Sequence, residues 1–283
     1  MGDGVDQFAV GDAVMALAAG SLGQFVTLPA ALAVAQPHNL SPQRAATLPA
    51  NFLTACYALK TVAQLKAGER ILIHAAAGGT GMAAVKVAQQ LGAEVYATAS
   101  PSKWSVLRQM GVKHVLNSRT LDFADAIRAQ TDGQGVDVVL NSLSGEFVGK
   151  GLAVLAPGGC FVEIGERDVR SPKQVAKLKT DIRYEVVDLM AIAQHQPQTI
   201  QTLLQTIKEQ IEAGELTPNP QRTFPISHAP QAFRYMQQAR HVGKIVLALD
   251  EDSCELAETT SGKAHIRREA TYLITGGTGG LGI

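Results

Sequence analysis

The sequence predicts an α/β fold in which an open parallel sheet carries helices on both faces. Short apolar runs rich in branched residues alternate with helical segments from residue 69 to residue 164, a pattern typical of parallel strands joined by crossover helices. The first run, residues 70–74, leads through three closely spaced glycines into a helical pattern. This succession of strand, turn and helix start predicts a ligand at the end of the first strand.

Composition supports a globular chain with one large domain or two ordinary ones. The 283 residues are 46% hydrophobic, enough to build a core. Lys and Arg total 25 and Asp and Glu total 25, so no net charge favours a nucleic-acid partner. Residues 13–43 are largely uncharged, but glycines and prolines interrupt them, and we expect no membrane span.

Cysteine usage favours a reducing compartment. Cys56, Cys160 and Cys254 are scattered, and the seven histidines show no metal-ligand spacing. This pattern argues against a disulfide framework and against a zinc site. We therefore expect a cytoplasmic protein with no bound metal.

A small β element precedes the sheet. Residues 10–16 predict a turn into a strand, and residues 25–28 and 32–34 predict two more short strands,. They are too few to close a barrel, so we expect this element either to lean on the cofactor domain or to lack its first strands. Ser41 and Pro42 then mark a helix start, and residues 49–65 predict the helix that leads to the sheet,.

The glycine turn predicts a dinucleotide site. Gly78, Gly79 and Gly81 would let a pyrophosphate approach the backbone, and the first N–H groups of the next helix would stabilise its charge. Thr80 lies within the turn, which is not a plain G-x-G-x-x-G motif, and a lone glycine-rich turn is a weak signal. Context supports it, because a helix at 82–91 and a strand at 94–99 complete a βαβ unit,.

The end of that second strand predicts NADPH rather than NADH. Dinucleotide sites for NAD usually carry Asp or Glu there to hold the ribose 2′-hydroxyl. This chain instead has Ser100, Pro101, Ser102 and Lys103, and a hydroxyl with an ammonium suits a 2′-phosphate. The competing interpretation is that Lys103 is a solvated charge in the next helix.

The alternation continues towards the C-terminus. The sequence predicts helices at 103–111, 122–131, 147–155, 199–213 and 230–240, and strands at 114–117, 135–140, 160–164, 183–187, 223–226 and 244–249,. Residues 157–159 predict a turn and residues 165–180 a polar loop,. Ligands bind beyond the carboxyl ends of parallel strands, so we expect Asn141, Ser142, Ile164 and Gly165 near the nicotinamide half of the cofactor.

Residues 10–249 resemble the enoyl reductase domain of modular polyketide synthases, in the zinc-independent, quinone-oxidoreductase-like branch of the medium-chain dehydrogenases. The matching stretches are 48–55, 74–84, 117–123, 136–143 and 240–247. Residues 271–283 resemble the T-G-x-x-x-G-x-G start of a ketoreductase. We interpret that end as the opening of another domain, cut off at a fragment boundary.

The resemblance implies a Rossmann-type doubly wound sheet with a partial GroES-like β-barrel. The expected parts are the end of the GroES-like substrate domain (1–47), the NADPH-binding domain (48–214), a return to the substrate domain (215–250), a linker (251–270) and the start of the ketoreductase (271–283). The family carries most of the barrel, with a tyrosine often proposed as proton donor, ahead of Val10. We therefore expect the fragment alone to be impaired in catalysis.

The resemblance also implies the reaction, in which NADPH gives hydride to the β-carbon of a 2-enoyl thioester on an acyl carrier protein and the α-carbon is protonated. Neighbouring synthase domains of the same polypeptide would be partners. Beyond the glycine turn, the residues that it assigns to the cofactor are Thr54, Ser100, Lys103, Arg119, Asn141, Ser142, Leu143, Ile164, Gly165, Val242, Gly243 and Lys244. Among them, Arg119 offers the best fork for the 2′-phosphate; the competing interpretation is a surface loop arginine.

The proton donor departs from the family pattern. A Gly-Lys-x-Asp loop is usual, with its lysine paired to an aspartate that corresponds to Asp188, but this chain reads Gly165-Glu166-Arg167-Asp168. Three outcomes fit: no dedicated residue, substitution by Glu166 or Asp188, or internal quenching of the enolate in a reductive cyclisation. For the chain as a whole, a freestanding quinone or alkenal reductase and a catalytically inactive structural domain are competing interpretations.

Overall fold

A computed structural model of the chain describes residues 2–249. The predicted linker and the second glycine turn lie outside these residues, as does Cys254. The strands are β1 (Val14–Ala16), β2 (Ala33–Ala35), β3 (Arg70–Ile73), β4 (Glu94–Ala99), β5 (His114–Asn117), β6 (Val136–Asn141), β7 (Leu155–Glu163), β8 (Arg183–Val186), β9 (Gln221–Pro225) and β10 (Lys244–Ala248).

Helices connect these strands. They are α1 (Pro42–Ala45), α2 (Pro49–Cys56), α3 (Gly79–Gln90), α4 (Trp104–Gln109), α5 (Phe123–Gln130), α6 (Glu146–Ala153), α7 (Pro172–Ala176), α8 (Leu189–His195), α9 (Pro197–Glu212) and α10 (Ala229–Gln237). A π-helical segment, Tyr57–Val62, extends α2 and ends before residue 65. Within residues 2–249, no helix combines the length and the hydropathy that a membrane crossing needs.

The main sheet has six parallel strands in the order β5-β4-β3-β6-β7-β8. The order reverses between β3 and β6, as it does in dinucleotide-binding Rossmann folds. Side chains alternate between two cores: Ile71 and Ile73 belong to one, and Leu72 belongs to the other. This period of two buries both faces. The predicted doubly wound parallel sheet is confirmed.

Two short sheets lie outside the main one. β1 pairs antiparallel with β2, and β9 pairs in parallel with β10. They hold the residues for which we expected the partial GroES-like barrel.

Residues 25–28, predicted as a strand, form no regular structure. Phe25 is 87% exposed, so this apolar stretch has no packing surface that would fix it as a strand. The strand predicted at 32–34 is β2, and it begins one residue later because Ala30–Leu32 forms a 3₁₀ turn.

Two further segments differ from the prediction. Residues 157–159 are not a free turn but part of β7, where the pairing with β6 shifts register between Leu155 and Cys160. The loop predicted at 165–180 contains α7, which begins at a capping box between Ser171 and Gln174,. The structure also adds α8, whose first turn is capped by Asp188.

Candidate functional site

The candidate site lies along the carboxyl ends of the parallel strands, on both sides of the reversal between β3 and β6. The glycine turn, residues 75–81, follows β3, and α3 begins within it at Gly79. The N–H groups of its first turn lack intrahelical acceptors, as they do in any helix. An anion at this point is therefore stabilised by hydrogen bonds and by the helix dipole.

Packing accounts for two glycines of the turn. A Cβ at Gly81 would lie 2.5 Å from the carbonyl oxygen of Ala75 and 2.6 Å from the Cα of Ala76. At Gly79 it would lie 2.9 Å from the side chain of Asn51. Gly81 excludes a larger residue because α3 packs on the backbone of the turn, which is the packing role of a glycine in such fingerprints. A side chain at position 79 would have to displace the amide of Asn51 on α2.

A loop from the far end of the chain is fixed against the turn. The N–H of Gly243 donates to the carbonyl of Ala77 at 3.0 Å, and Gly78 and Gly243 form an isolated parallel bridge. Gly243 has a φ of +70°, and a Cβ there would collide with the carbonyl of Pro220. Val242, Gly243 and Lys244 thus lie beside the turn, as their assignment to the cofactor site requires.

A second group of side chains meets at Asn51. The hydroxyl of Thr80 donates to Asn51 Oδ1 at 3.3 Å, and Lys244 Nζ lies 3.5 Å from the same oxygen. Burial lowers the pKa of Lys244. The hydroxyl of Thr54, one turn along α2, donates to the carbonyl of Ala50 at 2.7 Å. Asn51 was not among the predicted site residues, although it lies in the matching stretch 48–55.

Beyond β4 and β5 lies the cationic side of the site, formed by Ser100, Lys103 and Arg119. Lys103 Nζ donates to the carbonyl of His241 at 2.6 Å. Burial lowers the pKa of Lys103, and the charge of Arg119 acts in the same direction. Within residues 2–249, neither cation forms an ion pair with a carboxylate. The two charges are therefore available for an anionic ligand.

Beyond β6 and β7 lies a buried polar network. Asn141 is 0% exposed and Glu163 is 1% exposed. Asn141 Nδ2 donates to Glu163 Oε2 and to the carbonyl of Leu143, each at 2.7 Å. The N–H of Gly165 donates to Glu163 Oε1 at 2.7 Å. We expected the side chain of Asn141 near the nicotinamide. Its amide instead bonds to Glu163 and to the backbone of Leu143, beneath the site.

Burial raises the pKa of Glu163, and the hydrogen bonds from Gly165 and Asn141 oppose that rise. The carboxylate of Asp168 adds to the increase. Glu163 was not among the site residues predicted from the sequence. The available signal was a carboxylate at the end of an otherwise apolar strand, a position that a buried charge occupies only with partners.

A cleft of about 400 Å³ opens above this network, and we call it the strand-end cleft. Its lining residues are Ser142, Leu143, Ser144, Ile164, Gly165, Glu166 and Arg167. Asp168 Oδ2 accepts a hydrogen bond from the N–H of Gly145 at 2.9 Å, which joins the two loops at its rim. Four of the residues assigned to the cofactor thus lie together: Ser142, Leu143, Ile164 and Gly165.

The two candidate proton donors have different surroundings. Glu166 is exposed and lines the strand-end cleft. Asp188 is also exposed, and its Oδ1 accepts hydrogen bonds from the N–H groups of Met190 and Ala191, each at 3.0 Å. Asp188 therefore has a structural role at the start of α8. Across the described part of the chain, no three His, Cys, Asp or Glu side chains cluster as metal ligands would.

Comparisons with known proteins identify the family. The model of the family described as "Zinc-binding dehydrogenase" matches residues 110–247. The pikromycin polyketide synthase component PikAII of Streptomyces venezuelae is 43% identical over 283 residues, covering 99% of this chain and 7% of that protein. The crystal structure of CurK enoyl reductase matches with a TM-score of 0.84 and 49% identity, covering 87% of this chain and 74% of that one. The chain belongs to the enoyl reductase family of polyketide synthases.

Two further solved structures sharpen this assignment. The nucleotide-binding subdomain of the enoylreductase domain of PpsC from Mycobacterium tuberculosis is 46% identical, with a TM-score of 0.55 over 59% of this chain and 96% of that one. The CurF ER cyclopropanase from the curacin A biosynthetic pathway is 43% identical, with a TM-score of 0.76 over 78% of this chain and 66% of that one. The enoyl reductase is thus an oxidoreductase of the medium-chain type that uses a nicotinamide cofactor, and the resemblance seen in the sequence is confirmed.

Proposed function

We propose that this enoyl reductase takes hydride from NADPH and reduces a 2-enoyl thioester carried by an acyl carrier protein. The observation that carries the proposal is the arrangement along the sheet edge. The cationic side lies beyond β4 and β5, the strand-end cleft lies beyond β6 and β7, and the glycine turn lies between them. A dinucleotide has the same order of parts: a phosphorylated ribose, a pyrophosphate and a nicotinamide ring.

The residues present fit NADPH better than NADH. Lys103 and Arg119 supply two positive charges where an NAD site would place a carboxylate. Ser100, whose hydroxyl lies 3.3 Å from that of Ser102, adds a donor for the 2′-phosphate. Thr80 and the turn glycines would hold the pyrophosphate, and Val242, Gly243 and Lys244 would close over it.

The strand-end cleft supplies the surface for the ring and for the enoyl group. The cofactor, when bound there, would supply hydride to the β-carbon of the enoyl group. This chain's residues orient the two partners: Ser142 and Gly165 line the cleft, and Thr54 and Lys244 border the turn. Glu166 is the carboxyl group on the cleft lining that would protonate the α-carbon, and Asp188 is the second candidate.

The domain organisation belongs to the same proposal. We place the substrate domain at 1–47 and 215–250 and the NADPH-binding domain at 48–214, with neighbouring synthase domains in the same polypeptide. The carrier-bound thioester would reach the cleft from one of those neighbours. We also propose a cytoplasmic location, because the scattered cysteines suit a reducing compartment.

Deuterium transfer tests the proposed reaction. The intact enoyl reductase domain that contains this chain is mixed with NADPH deuterated at the reactive C4 position and with an enoyl thioester on an acyl carrier protein, and the product is analysed by mass spectrometry. We expect one deuterium at the β-carbon, with NADH at least about tenfold less efficient because the 2′-phosphate contacts are charge-assisted. Absence of the label would overturn the reductase proposal, and equal use of NADH would overturn the assignment of the 2′-phosphate.

Reductive cyclisation is a second candidate, favoured by the carboxylate of Glu166 where the family usually has a lysine. After hydride reaches the β-carbon, the enolate α-carbon would attack the γ-carbon, a new carbon–carbon bond would close a cyclopropane, and halide would leave. A γ-chloro enoyl thioester distinguishes the two reactions. A cyclopropane with released chloride supports the variant, whereas the saturated γ-chloro thioester alone excludes it.

A further inference from the structure

Glu163 is a buried carboxylate whose two oxygens are both engaged. Oε2 accepts from Asn141 Nδ2 and Oε1 accepts from the N–H of Gly165, each at 2.7 Å. The residue ends β7, and its own carbonyl accepts from the N–H of Val187 at 2.8 Å. Burial of a charge is costly unless it is paired or fully hydrogen-bonded. Both oxygens satisfy that condition here.

These bonds determine the course of the loop after β6. Asn141 Nδ2 also donates to the carbonyl of Leu143, and Asn141 Oδ1 accepts from the N–H of Leu143 at 3.3 Å. Asn141 therefore closes a tight loop on itself, and Glu163 fixes the orientation of its amide. Residues 142 and 143, which line one wall of the strand-end cleft, depend on that orientation.

The same carboxylate determines the loop after β7. A Cβ at Gly165 would lie 2.8 Å from Glu163 Oε1 and 3.7 Å from the carbonyl carbon of Ser142. A side chain at position 165 would therefore displace the carboxylate from its present place, whereas the contact with Ser142 is an ordinary one. Gly165 lines the strand-end cleft as part of the second loop, so one carboxylate bonds to groups that position both loops.

Glu163 itself is unsuited to donate a proton to the substrate. It is 1% exposed, it is not part of the cleft lining, and both of its oxygens accept hydrogen bonds. A group that touches neither substrate nor cofactor can act only through its neighbours.

We propose that Glu163 is a positioning residue that sets the spacing of the two loops between which the nicotinamide ring lies. This inference rests on the proposed function for the identity of the ligand, but the loop geometry stands without it. Two accepting oxygens are essential to the role because a glutamine would present an NH₂ group either to Asn141 Nδ2 or to the N–H of Gly165. A donor would then face a donor, and one loop would be released.

The test uses Glu163→Gln, with Glu185→Gln as the matched control. Glu185 is an exposed carboxylate on the adjacent strand β8, so its substitution makes the same change in charge without touching the loops. Hydrogen–deuterium exchange of the cofactor-free chain is measured first. In E163Q we expect the N–H of the released loop, Leu143 or Gly165, to exchange at least about tenfold faster, whereas E185Q matches the wild type at both.

Kinetics of the intact enoyl reductase domain that contains this chain provide the second measurement. We expect E163Q to lower kcat about tenfold or more, because misplacement of a reacting group by a fraction of an ångström is costly. Its Kd for NADPH should stay within about threefold, because the phosphate contacts are elsewhere. Unchanged exchange at both loops, or a loss confined to NADPH affinity with kcat retained, overturns the proposal. Failure of the wild-type chain to bind NADPH would instead overturn the proposed function, and the exchange measurement would still decide the role of Glu163.

Asn141→Ala tests the same network from its other side and serves if E163Q does not fold. It removes the hydrogen bond to Glu163 Oε2 but leaves the one from Gly165. We expect faster exchange at Leu143 with protection retained at Gly165. Equal loss of protection at both sites in N141A would contradict separate attachment of the two loops to the carboxylate.

Discussion

The two ends of the sheet edge hold their polar groups in opposite ways. On the cationic side, Arg119 is exposed and Lys103 is half-buried, with its ammonium on a backbone carbonyl. In the network under the strand-end cleft, Asn141 and Glu163 are buried and bonded to each other. Exposed charges select a ligand by attraction at little cost to the fold, whereas buried groups fix geometry and are costly to replace. In the proposed site, the cations would therefore select the cofactor, and the buried network would set the orientation of its ring.

His74, at the end of the central strand β3, should give the largest effect on stability among the buried polar groups. His74 follows β3, is 2% exposed, and contacts Thr98 Oγ1 through Nδ1 at 3.0 Å. Burial lowers its pKa from 6.5 to about 3. The folded protein therefore takes up this proton less readily than the unfolded chain, so the stability that is present above pH 6.5 is lost as the pH falls towards 3.

We expect the free energy of unfolding to fall by about 3 kcal/mol between pH 6.5 and about 4 through this group. Urea titrations at several pH values measure it. His74→Gln should remove that part of the pH dependence, and His228→Gln, at an exposed histidine, should retain it. The same slope in the wild type and in H74Q would contradict the role of His74.

Gly243 tests how firmly the loop over the glycine turn is fixed. Gly243→Ala combines a φ of +70° with a collision against the Pro220 carbonyl, and we expect a loss of about 2 to 3 kcal/mol. Gly133→Ala is the matched control because Gly133 has a φ of +80° but nothing within 4 Å of its Cβ position. That control should cost about 1 kcal/mol. If thermal unfolding showed the same loss of stability in G243A and G133A, the collision with the Pro220 carbonyl would be relieved without cost.

The cationic side should respond mainly in cofactor affinity, and loss of the Lys103 hydrogen bond to the His241 carbonyl should add a smaller cost in stability. Arg119→Ala and Lys103→Ala should each weaken NADPH binding by roughly 10- to 100-fold, the value of a charge-assisted hydrogen bond. NADH binding should change little, because NADH lacks the 2′-phosphate. Fluorescence titration with both coenzymes measures the ratio, and a parallel loss for NADH would mean that the cations act elsewhere.

Asp188 gives the smallest expected effect and separates two roles. Asp188→Ala removes the cap of α8 and should cost about 1 kcal/mol of stability, whereas Asp188→Asn retains the cap. If Asp188 only caps the helix, D188N keeps the wild-type kcat. A large loss of kcat in D188N at unchanged stability would identify it as the proton donor.

The sheet could be predicted from the sequence because its signal is local. The branched apolar run at β3 and the glycines that follow it specify structure through neighbours in sequence. The strand prediction that failed depended on tertiary packing. The apolar residues 25–28 suggested a strand, but strand formation needs a packing surface that Phe25 lacks.

For the candidate site, too, only the residues with a local signal could be predicted from the sequence. The glycine turn and the residues at the strand ends came from motif and topology, whereas Glu163 and Asn51 were missed. Both residues act through side chains buried against residues distant in sequence. Glu163 pairs with Asn141, 22 positions earlier, and Asn51 meets Lys244, 193 positions later. The spacing of residues in the sequence does not reveal contacts between residues this far apart in the chain.

A crystal structure of the chain with NADPH bound tests the central claim most directly. We predict the 2′-phosphate within hydrogen-bonding distance of Lys103 and Arg119, the pyrophosphate at the turn from Gly78 to Gly81, and the nicotinamide ring between the loops that carry Ser142 and Gly165. A nucleotide bound elsewhere, or a 2′-phosphate in solvent with both cations turned away from it, would contradict the account.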